Sequence, residues 1–298
     1  MGKALADSYP AARNVFEEVD SALGENLSGV IWEGPVEALT LTENAQPALM
    51  AVSLAVIRVL EAETGLDLPR DAKFVAGHSL GEYSALAAAG AFSISDAARL
   101  LRIRGNAMQK AVPVGAGAMA ALIGLSFEEA AAVAAEAAQG EVCQAANDNG
   151  GGQVVVSGSK AAVERAVEIA KGKGARRAML LPVSAPFHCA LMQPAAEAMA
   201  AALAETPVNV PVVPVVANVL AAPISDPREI RQRLVEQVTG TVRWRECVEA
   251  MAGAGVTRFY EAGSGRVLTG LLKRIVDGAT GTAIGNPDDV AAFKAGRG

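Results

Sequence analysis

From Phe74 to Gly90 the chain reads "FVAGHSLGEYSALAAAG": an apolar strand-like run, a serine with glycine two residues away on each side, then small residues suited to a helix. In that setting the G-x-S-x-G spacing is the sequence form of a strand that turns sharply into a helix, glycine being expected at both positions because side chains there would collide. At such an elbow Ser79 stands clear of the sheet. The N–H of Leu80, at the positive end of the following helix, then points to where a tetrahedral intermediate would carry its oxyanion. The pattern alone is weak in a chain with 30 glycines. The flanking strand and helix favour a catalytic serine over a structural tight turn. The spacing predicts a strand over 72–76, a helix over 80–89 stopped by Gly90, and a second helix over 95–112 with Asp96 near its start.

Working outward, strand-like runs alternate with alanine-rich helical segments, which predicts an α/β protein with a largely parallel sheet. A different order appears between Gly117 and Val183. "MAALIGL" is followed by the helical "SFEEAAAVAAEAAQ", the strands "EVCQAAN" and "QVVVSG", the helical "KAAVERAVEIAKGKG" and the strand "RRAMLLPV". This is strand-helix-strand twice over, the ferredoxin-like order. The expected organisation is therefore a large hydrolase-like domain from 1–116 and 184–298, with an inserted ferredoxin-like subdomain at 117–183.

Composition bounds the function. With 298 residues, 51% of them hydrophobic and 19% charged, the chain can bury a large core. Apolar runs such as that from Pro211 to Ile224 are interrupted before the roughly 18 residues of a membrane span, so no membrane role is expected. A net charge of −6 argues against a nucleic-acid partner. Three unpaired cysteines, Cys143, Cys189 and Cys247, and only two histidines suggest a reducing compartment, the cytoplasm, with no metal site.

An activated serine needs a base, and the chain offers only His78 and His188. His78 adjoins Ser79, and at an elbow its side chain should project away. His188 lies in "PVSAPFHCALMQP", where a proline-bent loop could carry the imidazole over Ser79. Neighbouring side chains diverge, so Cys189 reads as a buried, inert thiol. An ordinary serine hydrolase also carries an acid between serine and histidine. Asp96, Glu128, Glu129, Glu164 and Glu168 sit on helices and none has a strand-end position, so a Ser-His dyad oriented by an uncharged group is the simpler reading.

Five segments together resemble the malonyl-CoA:acyl carrier protein transacylase family: "AQPALMAVSLAV" (45–56), "GHSLGEYSAL" (77–86), "RGNAMQKA" (104–111), "PVSAPFHCALMQPA" (182–195) and "YEAGSGRVLTGLLKRI" (260–275). The resemblance spans nearly the whole chain in order. It implies Ser79 as the nucleophile that takes malonyl from coenzyme A, and His188 as the base. It implies that the backbone carbonyl of Gln237, in "RLVEQV", orients the imidazole in place of a carboxylate. Arg104 would pair with the free malonyl carboxylate, a task that suits a planar guanidinium fork. By resemblance Phe187 would limit branching at the acyl carbon, and Gln46 and Asn147 would approach the pocket, although either could equally be scaffold.

The resemblance further implies no cofactor, a monomer, and two partners that share a phosphopantetheine arm: a coenzyme A thioester and acyl carrier protein. Carrier proteins are acidic, so a local cationic face is expected, from Lys171, Lys173, Arg176 and Arg177 or from Arg228, Arg231, Arg233, Arg243 and Arg245. Family members carry a strand and a "GQGSQ" loop ahead of the segment that here reads "MGKALADSYPAARNVF", and that loop supplies a second oxyanion N–H. Without it, a weakened enzyme is expected. A serine esterase or thioesterase and a non-catalytic carrier-protein binder are the alternatives.

Overall fold

Alanine and leucine recur along Thr42–Thr64 on more than one face, so this 23-residue helix is one that other elements must surround. In the computed structural model, which describes residues 1–297, it does lie in the middle of the larger core, between the helices Pro10–Leu23 and Ile94–Lys110. Its length and hydropathy would suit a membrane span, unlike the interrupted Pro211–Ile224 run; here Met50, Leu54, Val56 and Val59 are wholly buried against protein. Gly105 lets the flanking helix approach. A Cβ there would stand 2.5 Å from Cα of Glu43 and 2.7 Å from the Thr42 carbonyl oxygen, so the two backbones nearly touch beside Arg104.

Among the described residues, nine strands form three sheets. β1 (Val75–Ala76) pairs in parallel with β6 (Val215–Ala217), which pairs antiparallel with β7 (Ala222–Ile224). β8 (Arg258–Ala262) and β9 (Thr280–Ile284) form a second parallel pair. Parallel pairing is thus less extensive than the alternation of elements predicts. Prolines 211, 214 and 223 explain part of the difference, since each removes a ladder donor from the run that holds β6 and β7. The helix expected over 95–112 runs Ile94–Lys110, and its cap is Ser93, whose side chain accepts from the Asp96 N–H.

The third sheet is antiparallel, with order β3-β4-β2-β5, built from β2 (Gly117–Ile123), β3 (Cys143–Asp148), β4 (Gln153–Ser159) and β5 (Arg177–Leu180). The helices Phe127–Ala138 and Lys160–Gly172 connect β2 to β3 and β4 to β5. Side chains alternate along the strands. Ala120, Leu122, Val154 and Val156 pack with the two helices, whereas Met119, Ala146 and Val155 form a separate cluster against Phe187. The second face thereby supports the loop that carries His188.

Candidate active site

The backbone around Ser79 turns as the glycine spacing predicts, but the two glycines are not equally required. A Cβ on Gly77 would lie 2.0 Å from the carbonyl carbon and oxygen of Gly81, whereas one on Gly81 would meet nothing within 4 Å. The close approach is one-sided. Gly77→Ala should therefore destabilise the chain by more than the roughly 1–3 kcal/mol usual for overpacking, while Gly81→Ala, at the first residue of the helix Gly81–Ala88, should leave the melting temperature nearly unchanged. Thermal melts of the two variants check this, and equal losses would contradict it.

Ser79 has φ 53°, a left-handed conformation for a residue with a Cβ. Its Oγ lies 2.8 Å from Nε2 of His188, and Nδ1 of His188 lies 2.8 Å from the Gln237 carbonyl oxygen. A carbonyl only accepts, so Nδ1 carries the proton and Nε2 is left bare to accept from the Ser79 hydroxyl. His188 is buried and also has a positive φ, 59°. Burial, reinforced by the nearby Arg104 cation, pushes the imidazole down to about 3, against the pull of the Gln237 carbonyl. The ring is neutral at physiological pH.

Arg104 is the largest wholly buried side chain. Nη1 donates to Gln46 Oε1 at 2.7 Å, and Nη2 donates to Gln237 Oε1 at 2.9 Å and to Ser79 Oγ at 3.1 Å. Its guanidinium also lies over the Tyr83 ring, 5.7 Å from the centroid. Among the described residues no carboxylate forms an ion pair with it, and its Nε has no partner. A buried cation held only by neutral acceptors, within reach of a serine oxygen, is a site suited to an anionic ligand.

The other predicted positions divide. Gln46 is drawn into the cluster; its Nε2 also donates to Thr42 Oγ1 at 2.9 Å. Leu80 precedes the helix Gly81–Ala88, and its N–H has no acceptor among the described residues. Phe187 packs between the main core and the Met119 cluster. Asn147 is buried at an irregularity in β3, and no hydrogen bond joins its side chain to the Ser79 cluster. His78 turns away, its Nε2 2.9 Å from Asn149 Oδ1 and its ring beside Trp244. The Cys189 thiol is buried and pushed up by that burial. No cluster of potential metal ligands occurs among the described residues.

Two residues of the cluster escape sequence reasoning. Asn218, just after β6, accepts from the Ser79 N–H at 2.7 Å and donates to the Gly77 carbonyl at 2.8 Å. Glu82 accepts through one oxygen, Oε2, from the Asn218 N–H at 3.0 Å and from Gln237 Nε2 at 2.8 Å. Burial pushes its carboxyl up to about 7, against those two bonds and the Arg104 charge. Glu82 is visible in the motif three residues after Ser79. Its inward direction is not, because an acid in the first turn of a helix is commonly solvated.

The acyl transferase domain family matches residues 1–285 of the chain. Malonyl CoA-acyl carrier protein transacylase of Escherichia coli (strain K12) is 48% identical over 288 residues, which cover 97% of this chain and 92% of that protein. Among solved structures, the acyl-carrier-protein-S-malonyltransferase from Bartonella henselae superimposes with a TM-score of 0.96 at 59% identity, covering 98% of this chain and 93% of that one. A malonyl-transacylase in complex with its type II PKS acyl-carrier protein gives 0.95 at 42% identity, with 99% and 94% covered.

Proposed function

Because the chain belongs to the acyl transferase domain family, we infer that it moves a malonyl group from malonyl-CoA to the phosphopantetheine thiol of acyl carrier protein. The observation that carries the malonyl assignment is Arg104, a buried guanidinium without a carboxylate partner that already reaches Ser79 Oγ. The malonyl carboxylate completes it. Pairing there also relieves the repulsion that Arg104 exerts on His188, so a carboxylate-bearing acyl group makes the base stronger on arrival.

The Ser79 hydroxyl passes its proton to His188 Nε2 as Oγ attacks the thioester carbonyl, and the Leu80 N–H faces the developing oxyanion. The coenzyme A thiolate leaves and takes the proton from His188. The carrier thiol then gives its proton to His188 and attacks the malonyl-serine ester, and Ser79 Oγ recovers a proton as the thioester forms. One channel that fits the shared arm serves both half-reactions and keeps water from the ester, which favours transfer over hydrolysis. Phe187 beside His188 restricts branching next to the acyl carbonyl, and Gln46 holds Arg104. We give Asn147 a scaffold role.

We read 117–183 as a ferredoxin-like subdomain inserted into a hydrolase-like domain made of 1–116 and 184–298. The four-stranded antiparallel sheet with its own core supports the first part. Most of the basic residues named from the sequence are already neutralised: Lys171 by Glu168, Lys173 by Glu136, Arg233 by Glu229 and Glu236, Arg243 by Glu246, and Arg245 by Asp148 and Glu249. Arg176, Arg177, Lys273 and Arg274 are exposed without such partners among the described residues. Arg176 and Arg274 flank the adjoining Gly124 and Gly151–Gly152 backbones, so we assign carrier docking to this patch. The reaction fits a monomer in the cytoplasm, where three free cysteines stay reduced.

Malonyl-CoA against acetyl-CoA turnover of Arg104→Ala tests the assignment. Malonyl transfer should fall by roughly tenfold to a hundredfold, the scale of a lost hydrogen bond between charged groups. Acetyl transfer should be spared or gain in relative terms. An equal proportional loss on both would give Arg104 a structural role only.

A further inference from the structure

A left-handed backbone at a residue with a Cβ costs on the order of 1–3 kcal/mol and persists only where its surroundings over-determine it. At Ser79 both polar groups of the backbone are met by side chains: Asn218 Oδ1 accepts its N–H at 2.7 Å, and Gln237 Nε2 donates to its carbonyl at 3.0 Å. These two clamps come from distant parts of the chain, one from the end of β6 and one from the helix Pro227–Thr239. They meet at a single atom, Glu82 Oε2, which accepts from the Asn218 N–H at 3.0 Å and from Gln237 Nε2 at 2.8 Å. Glu82, Asn218 and Gln237 are all buried, so water does not compete for these bonds. Gln237 also holds His188 through its carbonyl and Arg104 through Oε1.

We propose that Glu82 is a positioning residue for acyl transfer, one carboxyl oxygen holding Asn218 and Gln237 and, through them, the backbone of Ser79 and the ring of His188. The inference rests on reading Ser79 and His188 as the reacting pair. Glu82 bonds to neither Ser79 Oγ nor the His188 ring, so its effect is exerted through geometry. A neutral amide oxygen could accept the same two bonds, and burial already disfavours the charge on Glu82. Acceptance, rather than charge, is what the site uses.

The experiment is single-turnover formation of the malonyl-enzyme, followed by intact mass over a range of malonyl-CoA concentrations. For Glu82→Ala the limiting acylation rate should fall about 10- to 100-fold, the scale of a misplaced reacting group. The half-saturating malonyl-CoA concentration should change less than about threefold, because Arg104 still reads the carboxylate. Glu82→Gln should recover most of the lost rate. Wild-type kinetics in Glu82→Ala, a loss confined to half-saturation, or a Glu82→Gln as slow as Glu82→Ala would each overturn the proposal. If Glu82→Ala does not fold, Asn218→Ala, which removes one clamp, should show the same split with a smaller loss, and unchanged kinetics there would overturn it instead. The wild type separates the two levels. No adduct on Ser79 would defeat the nucleophile assignment, whereas an adduct on Ser79 with unaffected Glu82 and Asn218 variants would defeat only the role of Glu82.

Discussion

Ser79→Ala should form no malonyl adduct and transfer nothing to the carrier, while melting within a few degrees of the parent. The loss is complete because the ester has no other oxygen in reach of His188 Nε2 among the described hydrogen bonds. The fold survives because the elbow is held through the Ser79 backbone, by Asn218 and Gln237, and those bonds do not involve Oγ. Arg104 Nη2 keeps Gln237 Oε1 as an acceptor. The lost hydroxyl bonds therefore cost on the order of 1 kcal/mol. Intact mass after malonyl-CoA checks the prediction directly. A malonyl adduct persisting on the variant would move the nucleophile elsewhere, and the nearby Cys189, buried and with its thiol pushed up, is a poor substitute.

His188→Ala should slow acylation by roughly a hundredfold or more, the scale of a lost general base. The parent should also lack the limb near pH 6.5 that an ordinary imidazole gives, since His188 is held neutral down to about pH 3. Stability carries the same signature. The folded pKa lies below the ordinary 6.5, so neutral His188 contributes stability that is present above 6.5 and lost as pH falls towards 3. Glu82 runs the other way. Its folded value is raised from 4.5 to about 7, so its contribution is present below 4.5 and lost as pH rises through 7. Melts between pH 4 and 8 should show His188→Ala losing less stability on acidification, and Glu82→Gln losing less between pH 5 and 8. A parent acylation profile that bends near 6.5, or melts unaltered in pH slope by both substitutions, would contradict these assignments.

The elbow was legible because its constraints are local. A strand, a helix and a glycine two residues before the serine all lie within a short stretch of chain, and the clash that a Cβ on Gly77 would make with the Gly81 carbonyl, at 2.0 Å, is one between sequence neighbours. The antiparallel unit was legible for a similar reason, since alternating Ala120, Leu122 and Val154, Val156 announce strands whose partners follow within a few tens of residues. His188 followed from scarcity: with two histidines in the chain and one of them beside the serine, counting did what geometry usually must. Arg104, Gln237, Gln46 and Phe187 were reached only through resemblance, and nothing in their own spacing set them apart.

What the sequence by itself determined, then, is the serine, the turn that presents it, the order of elements and, by likeness across nearly the whole chain, the family. Only the tertiary structure decided that Gly81 is sterically free, that extended parallel pairing is limited, that no hydrogen bond joins the Asn147 side chain to the Ser79 cluster, and that most of the basic residues are already paired. It alone placed Glu82 and Asn218 beneath the nucleophile. The physical reason is that a polar side chain's role depends on whether water can reach it and on which distant groups meet it there. Glu82 and Asn218 are 136 positions apart, and their bond exists only because β6 and the elbow helix are buried against each other.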